Sequence, residues 1–114
     1  MENIIVEKSK AFALRIIKLY KHLDINYRIG VISTQILKSG TSIGANVREA
    51  IRVQSKPDFY AKLNISLKEV SETEYWLELL YESDYITKEQ FESIHSDCEE
   101  LIKILTAITK TQNK

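Results

Sequence analysis

The chain is expected to be all-α, an antiparallel up-down-up-down four-helix bundle, and three observations lead there. Apolar residues recur every three or four positions through four long segments. Only three glycines and one proline occur in 114 residues, too little of the punctuation that β-rich folds need. The four segments are similar in length and separated by a few residues, so antiparallel neighbours are the simplest packing. A single domain over residues 1–114 is expected, because a chain of this size can bury one core without staples.

The first helix is expected at about residues 4–23, where Phe12, Ile16, Leu19 and Leu23 form one stripe and Ala13, Ile17 and Tyr20 a second beside it. It has more than one face to bury. The second, at about residues 28–54, carries Ile29, Ile32, Ile36, Ile43, Val47 and Ala50 on one face. Ser33, Leu37, Gly40, Gly44 and Ile51 form its companion face.

The third helix, at about residues 56–84, starts in "SKPDF": Ser55 can cap, Pro57 suits the first turn and Asp58 completes the capping pattern. Its main stripe is Phe59, Leu63, Leu67 or Ser66, Val70, Leu77 and Tyr81, and the neighbouring stripe is Ile65, Glu69, Glu72, Trp76 and Leu79. The fourth, at about residues 88–110, opens on Thr87 and Gln90 in capping-box spacing. Phe91, Ile94, Cys98, Leu101, Leu105 and Ile108 then alternate in steps of three and four, the seam of a bundle helix.

"SGTSIGANVREA", residues 39–50, concentrates small residues inside the second helix. A phosphate-cradling loop would need a lysine after its last glycine and a preceding strand, and both are missing. A helical glycine costs about 1 kcal/mol relative to alanine, so a helix that keeps two gains something by close packing. Gly40, Gly44 and Ala45 are therefore expected to admit a neighbouring helix or subunit to the backbone.

Net charge is zero, which argues against the overall basic character of a dedicated nucleic-acid binder. The halves differ sharply, however. Residues 1–56 hold ten lysines and arginines against four acids, a balance of +6, while residues 57–114 hold six against twelve, a balance of −6. They should attract, within a subunit or between subunits. Lys8, Arg15, Lys18 and His22 line one face of the first helix, and Arg48, Arg52 and Lys56 follow at intervals of four. Such rows can track a phosphate backbone or stand in solvent balanced by the acidic third helix.

Glu69 and Glu72 share a stripe with Ile65 and Trp76, and a buried carboxylate needs a partner. An ion pair with Arg48 or Arg52, internal or intersubunit, is the expectation, with Arg48 the first candidate. Glu74, Glu78 and Glu82 read as a solvated edge. Glu92 and His95 make one Glu-x-x-His, but a di-iron bundle needs a second copy and two further glutamates, so no metal is expected. Cys98, the sole cysteine, reads as a small buried hydrophobe. No nucleophile signature, cofactor motif or catalytic constellation is found, and the chain is expected not to be an enzyme.

A lone cysteine points to a reducing, cytoplasmic setting without disulfides. "MENIIVEKSK" lacks the basic start and apolar core of a signal peptide, and no uninterrupted apolar run is long enough to span a bilayer. Neither export nor membrane association is expected.

"TSIGANVREA" followed by "DFYAKLNISLKEVSETEYWLELL" resembles the four-helix-bundle family of 23S rRNA intervening-sequence proteins. The matching residues are Ser42, Gly44, Ala45, Asn46, Glu49 and Ala50, then Phe59, Leu63, Ile65, Ser66, Glu69, Glu72, Thr73, Trp76 and Leu77, within a resemblance running from about Lys8 to Ile108. It implies a small cytoplasmic bacterial protein without established catalytic activity, assembled as a ring-like homo-oligomer, most simply a pentamer. It also implies similarity to the accessory protein of diversity-generating retroelements, a basic pentameric barrel that binds a reverse transcriptase and nucleic acid. The expected function is thus a non-enzymatic homo-oligomeric binding or scaffold protein whose partner is RNA or a ribonucleoprotein. The alternative is a purely protein-binding assembly factor. The charge split adds a heterologous subunit contact, one subunit's basic half against the next one's acidic half.

Overall fold

The computed structural model describes residues 2–113, with side chains for residues 4–111. Four helices follow in order, α1 (Glu2–Asn26), α2 (Gly30–Ala50), α3 (Lys56–Glu82) and α4 (Lys88–Thr109), and a 3-10 turn at Lys110–Asn113 follows the last. At a rise of 1.5 Å per residue α3 spans about 40 Å, and it sets the length of a body measuring 46 × 21 × 19 Å. Each helix packs chiefly on its neighbour in sequence, and α1 closes the bundle against α4 through a thinner seam. The architecture is the up-down-up-down four-helix bundle.

Helix starts follow their capping chemistry. Ser55 Oγ accepts the N–H of Asp58 at 3.2 Å with Pro57 in the first turn of α3. At α4, Thr87 Oγ1 accepts the N–H of Gln90 at 3.1 Å while the Gln90 side chain accepts the N–H of Thr87 at 2.8 Å, a complete capping box.

α2 differs from its expected bounds at both ends. Arg28 adopts a left-handed conformation, φ 53°, and its N–H returns to the Leu23 carbonyl at 3.0 Å, so α1 runs on to Asn26 and α2 starts only at Gly30. Its N-cap, Ile29, has no side-chain acceptor to offer. α2 then stops at Ala50, and residues 51–54 are a link instead of helix. At the end of α3, Asp84 is left-handed at φ 67°, with Tyr85 N–H on the Leu80 carbonyl at 2.9 Å and Asp84 N–H on that of Tyr81 at 3.1 Å. That is the Schellman pattern, which satisfies carbonyls the helix leaves open.

The core is built from every helix, including Ile5, Phe12, Ile16 and Leu23 of α1, Ile36, Ile43 and Val47 of α2, Leu63, Val70 and Leu77 of α3, and Ile94, Cys98, Leu101 and Leu105 of α4. Between the two interpretations of the third stripe, Ser66 is buried and Leu67 half-buried. The Ser66 hydroxyl donates to the Ile43 carbonyl at 2.9 Å, and Thr73 Oγ1 lies 2.8 Å from Ser39 Oγ. Short hydroxyl side chains thus let α2 and α3 approach closely while keeping their own polar atoms bonded. Among the described residues no buried side-chain nitrogen or oxygen lacks a hydrogen-bond partner.

Candidate functional site

The small residues of α2 act at two levels of closeness. A Cβ at Gly40 would stand 2.7 Å from Cγ1 and 2.8 Å from Cγ2 of Ile16, a fully buried, β-branched side chain that has nowhere to move. A Cβ at Gly44 would meet the Ser9 carbonyl oxygen at 3.3 Å, so here α1 brings its backbone close to α2. Ala45 is exposed, with no helix of its own subunit over it, which leaves a neighbouring subunit as the contact its small side chain would admit.

Ala45 instead faces a cleft of about 440 Å³ between α1 and α2. Val6, Ser9, Ala13, Thr41, Gly44 and Ala45 give it a small, largely apolar lining, Lys10, Arg48 and Arg52 bring positive charge to it, and Glu49 is the one carboxylate on its rim, engaged at 3.1 Å by Lys62. The cleft exists because side chains are short along both helices here, so their surfaces part once the backbones have met. Lys10 was not among the candidate residues, although its place four residues after Val6 and three before Ala13 puts it on the same edge of α1.

The basic rows do not form one surface. Lys8 pairs with Glu100 at 3.1 Å. Arg15 pairs with Asp97 at 2.8 Å and also donates to the hydroxyl and the carbonyl of Ser93, at 2.6 and 3.2 Å. Both therefore work at the α1/α4 seam. Lys18 stands with His22 at a separate hollow toward α4, and Lys56 lines another beside the link between α2 and α3. Among the described residues no ion pair engages Lys10, Lys18, Arg48, Arg52 or Lys56.

The ion pair expected between Arg48 and Glu69 or Glu72 is absent within the subunit, and register explains why. Ser66 meets Ile43, and Lys62 pairs with Glu49 at 3.1 Å, so Glu69 lies opposite the helix turn near Ser42. That is six residues, about 9 Å, along the axis from Arg48. Direction compounds distance: Glu49 reaches Lys62 of α3 from the rim of the cleft, and its neighbour Arg48 is turned about 100° further around the helix toward the α1 side.

Neither is this carboxylate pair deeply buried. Glu69 is half-buried and Glu72 exposed, the latter accepting the Trp76 indole N–H at 3.3 Å. Burial, and secondarily the neighbouring Glu72 carboxylate, hold the Glu69 pKa above the ordinary carboxylate range. Ile65 on the same flank is 40% exposed and Trp76 half-buried. The outer flank of α3 is thus an acidic and apolar strip that the subunit covers only in part.

Glu74 corrects another expectation, since it is no part of a solvated edge. His95 Nε2 lies 2.8 Å from its carboxylate, the imidazole stacks on Phe91 with centroids 5.0 Å apart, and Phe91 stacks on Tyr81 at 4.8 Å. Positions 70, 74, 77 and 81 form one stripe, so the inward placing of Glu74 was readable from spacing alone. Glu92 turns to Lys88 at 3.8 Å while His95 turns to Glu74 and Glu99, so the Glu-x-x-His residues are not brought together. Among the described residues no three histidine, cysteine or acidic side chains are grouped to hold a metal ion. Cys98 is fully buried, and burial, then the carboxylates of Glu74, Asp97 and Glu99, push its thiol up to about 12. It stays protonated and unreactive at neutral pH.

The sequence of these two central helices, with its small-residue turn on α2 and its Glu69–Trp76 strip on α3, corresponds to a known family. The family model of the 23S rRNA-intervening sequence protein matches residues 1–107. The chain belongs to this family. A solved structure from Bacteroides thetaiotaomicron VPI-5482, of a protein with unknown function from the S23 ribosomal protein family, is 57% identical to it. The similarity covers 93% of this chain and 98% of that one, with a TM-score of 0.92. No curated protein matches the chain. As a 23S rRNA-intervening sequence family member it has, among its described residues, no helix long and apolar enough to cross a membrane.

Proposed function

We propose that this chain is a non-enzymatic binding or scaffold protein that works as a cytoplasmic homo-oligomer. One observation carries the reading: the subunit leaves a largely cationic cleft open and an acidic, apolar flank only partly covered, although opposite charges elsewhere in the bundle find each other. Further apolar side chains point the same way, with Leu14 of α1 55% exposed and Tyr75 of α3 54% exposed. A pentameric ring is the assembly favoured by the family resemblance. The protonated, buried state of Cys98 supports a role without nucleophilic chemistry.

RNA or a ribonucleoprotein is the candidate partner of the assembly, supported by the family's association with 23S rRNA insertions and by cations left without an ion pair, among them Lys18 and Lys56. A purely protein-binding assembly factor is the second reading. It is favoured by the loss of Lys8 and Arg15 to internal pairing, which leaves less of the basic surface that a relative of the retroelement accessory protein would use.

Light scattering at micromolar concentration, combined with an RNA mobility-shift series from about 50 to about 200 mM salt, tests both layers. A multimeric mass is expected, together with RNA affinity that falls steeply as salt rises. Multimers with weak, salt-insensitive RNA binding would leave the protein-binding reading. A monomer would remove the proposal.

A further inference from the structure

We infer that the α1/α2 cleft receives the outer flank of α3 from a second copy of this chain, with Arg48 and Arg52 meeting Glu69 and Glu72 across the contact. The inference rests on the proposed self-association and specifies its surfaces.

Chemistry on the two sides is complementary. The cleft offers two arginines above a lining of small residues at Gly44 and Ala45. The flank offers two carboxylates beside Ile65 and Trp76, apolar side chains that a shallow lining of small residues can accept. Glu69 has a raised pKa because its surroundings take water away and supply a like charge instead of a cation. An arginine brought by a neighbour would supply what the subunit withholds. Arginine suits that task, since its planar fork can bind a carboxylate with two parallel hydrogen bonds.

Charge also limits the pairing. Two clefts placed face to face would oppose arginines, and two flanks would oppose glutamates. Only cleft against flank brings unlike charges together, either reciprocally in a closed pair or once per contact, and made once per contact it is head-to-tail. Both surfaces adjoin α2 on opposite sides, the cleft toward α1 and the acidic flank toward α3. One subunit can therefore hold a neighbour on each side, and repeating the contact yields a ring if the rotation closes or a filament if it does not.

The test is a charge swap. Arg48→Glu with Arg52→Glu reverses the cleft, Glu69→Lys with Glu72→Lys reverses the flank, and all four changes in one chain restore complementarity with the signs exchanged. Far-UV circular dichroism confirms folding, and light scattering across a dilution series reads the mass. Each double variant is expected to weaken association at least about tenfold, and the quadruple variant to recover the wild-type mass. A milder pair, Arg48→Gln and Glu69→Gln, serves if a reversed chain fails to fold, and each should shift dissociation to higher protein concentration.

Folded double variants that keep the wild-type mass would overturn this contact while leaving self-association intact. So would a quadruple variant that stays dissociated. If the cleft variant kept its mass but lost RNA binding, the arginines would belong to phosphate and the inference would fall. A wild-type monomer would sink both this contact and the broader proposal.

Discussion

Two edges of the bundle carry basic residues, and they end differently. At the α1/α4 seam Lys8 and Arg15 each find a carboxylate on α4, and Arg15 adds two hydrogen bonds to Ser93. At the α1/α2 cleft Lys10, Arg48 and Arg52 find no ion pair among the described residues. Similar rows of cations in the sequence thus serve as internal fasteners on one side and as unspent charge on the other. Which of the two a cation becomes is decided by the neighbouring helix: α4 is acidic, whereas α1 and α2 are both basic and cannot neutralise each other.

The largest effect should come from forcing apart the close α1/α2 contact that lies beneath the cleft side. Gly40→Leu drives a side chain into Ile16, and a loss of at least about 3 kcal/mol is expected, read as a fall in the urea midpoint or as outright unfolding. An unchanged midpoint would show that the helices can separate freely here.

Next comes the direct contrast between the edges. Arg15→Ala should cost about 1 kcal/mol, since its pair is half-exposed but carries extra hydrogen bonds. Arg48→Ala should change subunit stability by less than about 0.5 kcal/mol, as expected of a surface residue without a partner. Measured under conditions that keep the chain monomeric, equal losses would erase the distinction between fastener and unspent charge.

A smaller gain is expected at the turn leading into the cleft-bearing helix. Arg28→Gly relieves a left-handed arginine and should stabilise by about 0.5 kcal/mol, the relief being partly offset by a freer unfolded chain. Thermal melting reads it.

The smallest effect concerns pH on the opposite flank. Glu69 has a raised pKa in the folded subunit, so folding takes up protons there. Its contribution is full below the ordinary carboxylate pKa and is lost as pH rises through the raised value. Glu69→Gln should abolish that slope in monomer stability between acidic and neutral pH, and a slope retained in the variant would assign it to another group.

Much of this fold was legible because the deciding chemistry is local. Ser55 and Thr87 announce the starts of α3 and α4 with side-chain acceptors that then make the expected bonds. The start of α2 was misplaced because a left-handed Arg28 and an uncapped Ile29 carry no such signal. Stripes at helical spacing located the core, yet Glu74 was missed because its acidic character outweighed its inward position.

The site was harder to read for a reason of register. Spacing shows that Arg48 and Glu69 sit on adjacent helices, but not that an offset of about two turns and a rotation around α2 keep them apart. Nor can it distinguish Lys8 and Arg15 from Arg48 and Arg52, since their fates depend on what lies across the bundle.

The thin α1/α4 seam also bears on how the chain folds. Sequential helix pairs need only short excursions of chain to meet, whereas Arg15 and Asp97 stand 82 positions apart and can join only after everything between them is in order. Their bond is therefore expected to act as a latch fastened after the rate-limiting step. Removing it should hasten the opening of the native subunit while leaving its rate of formation nearly unchanged.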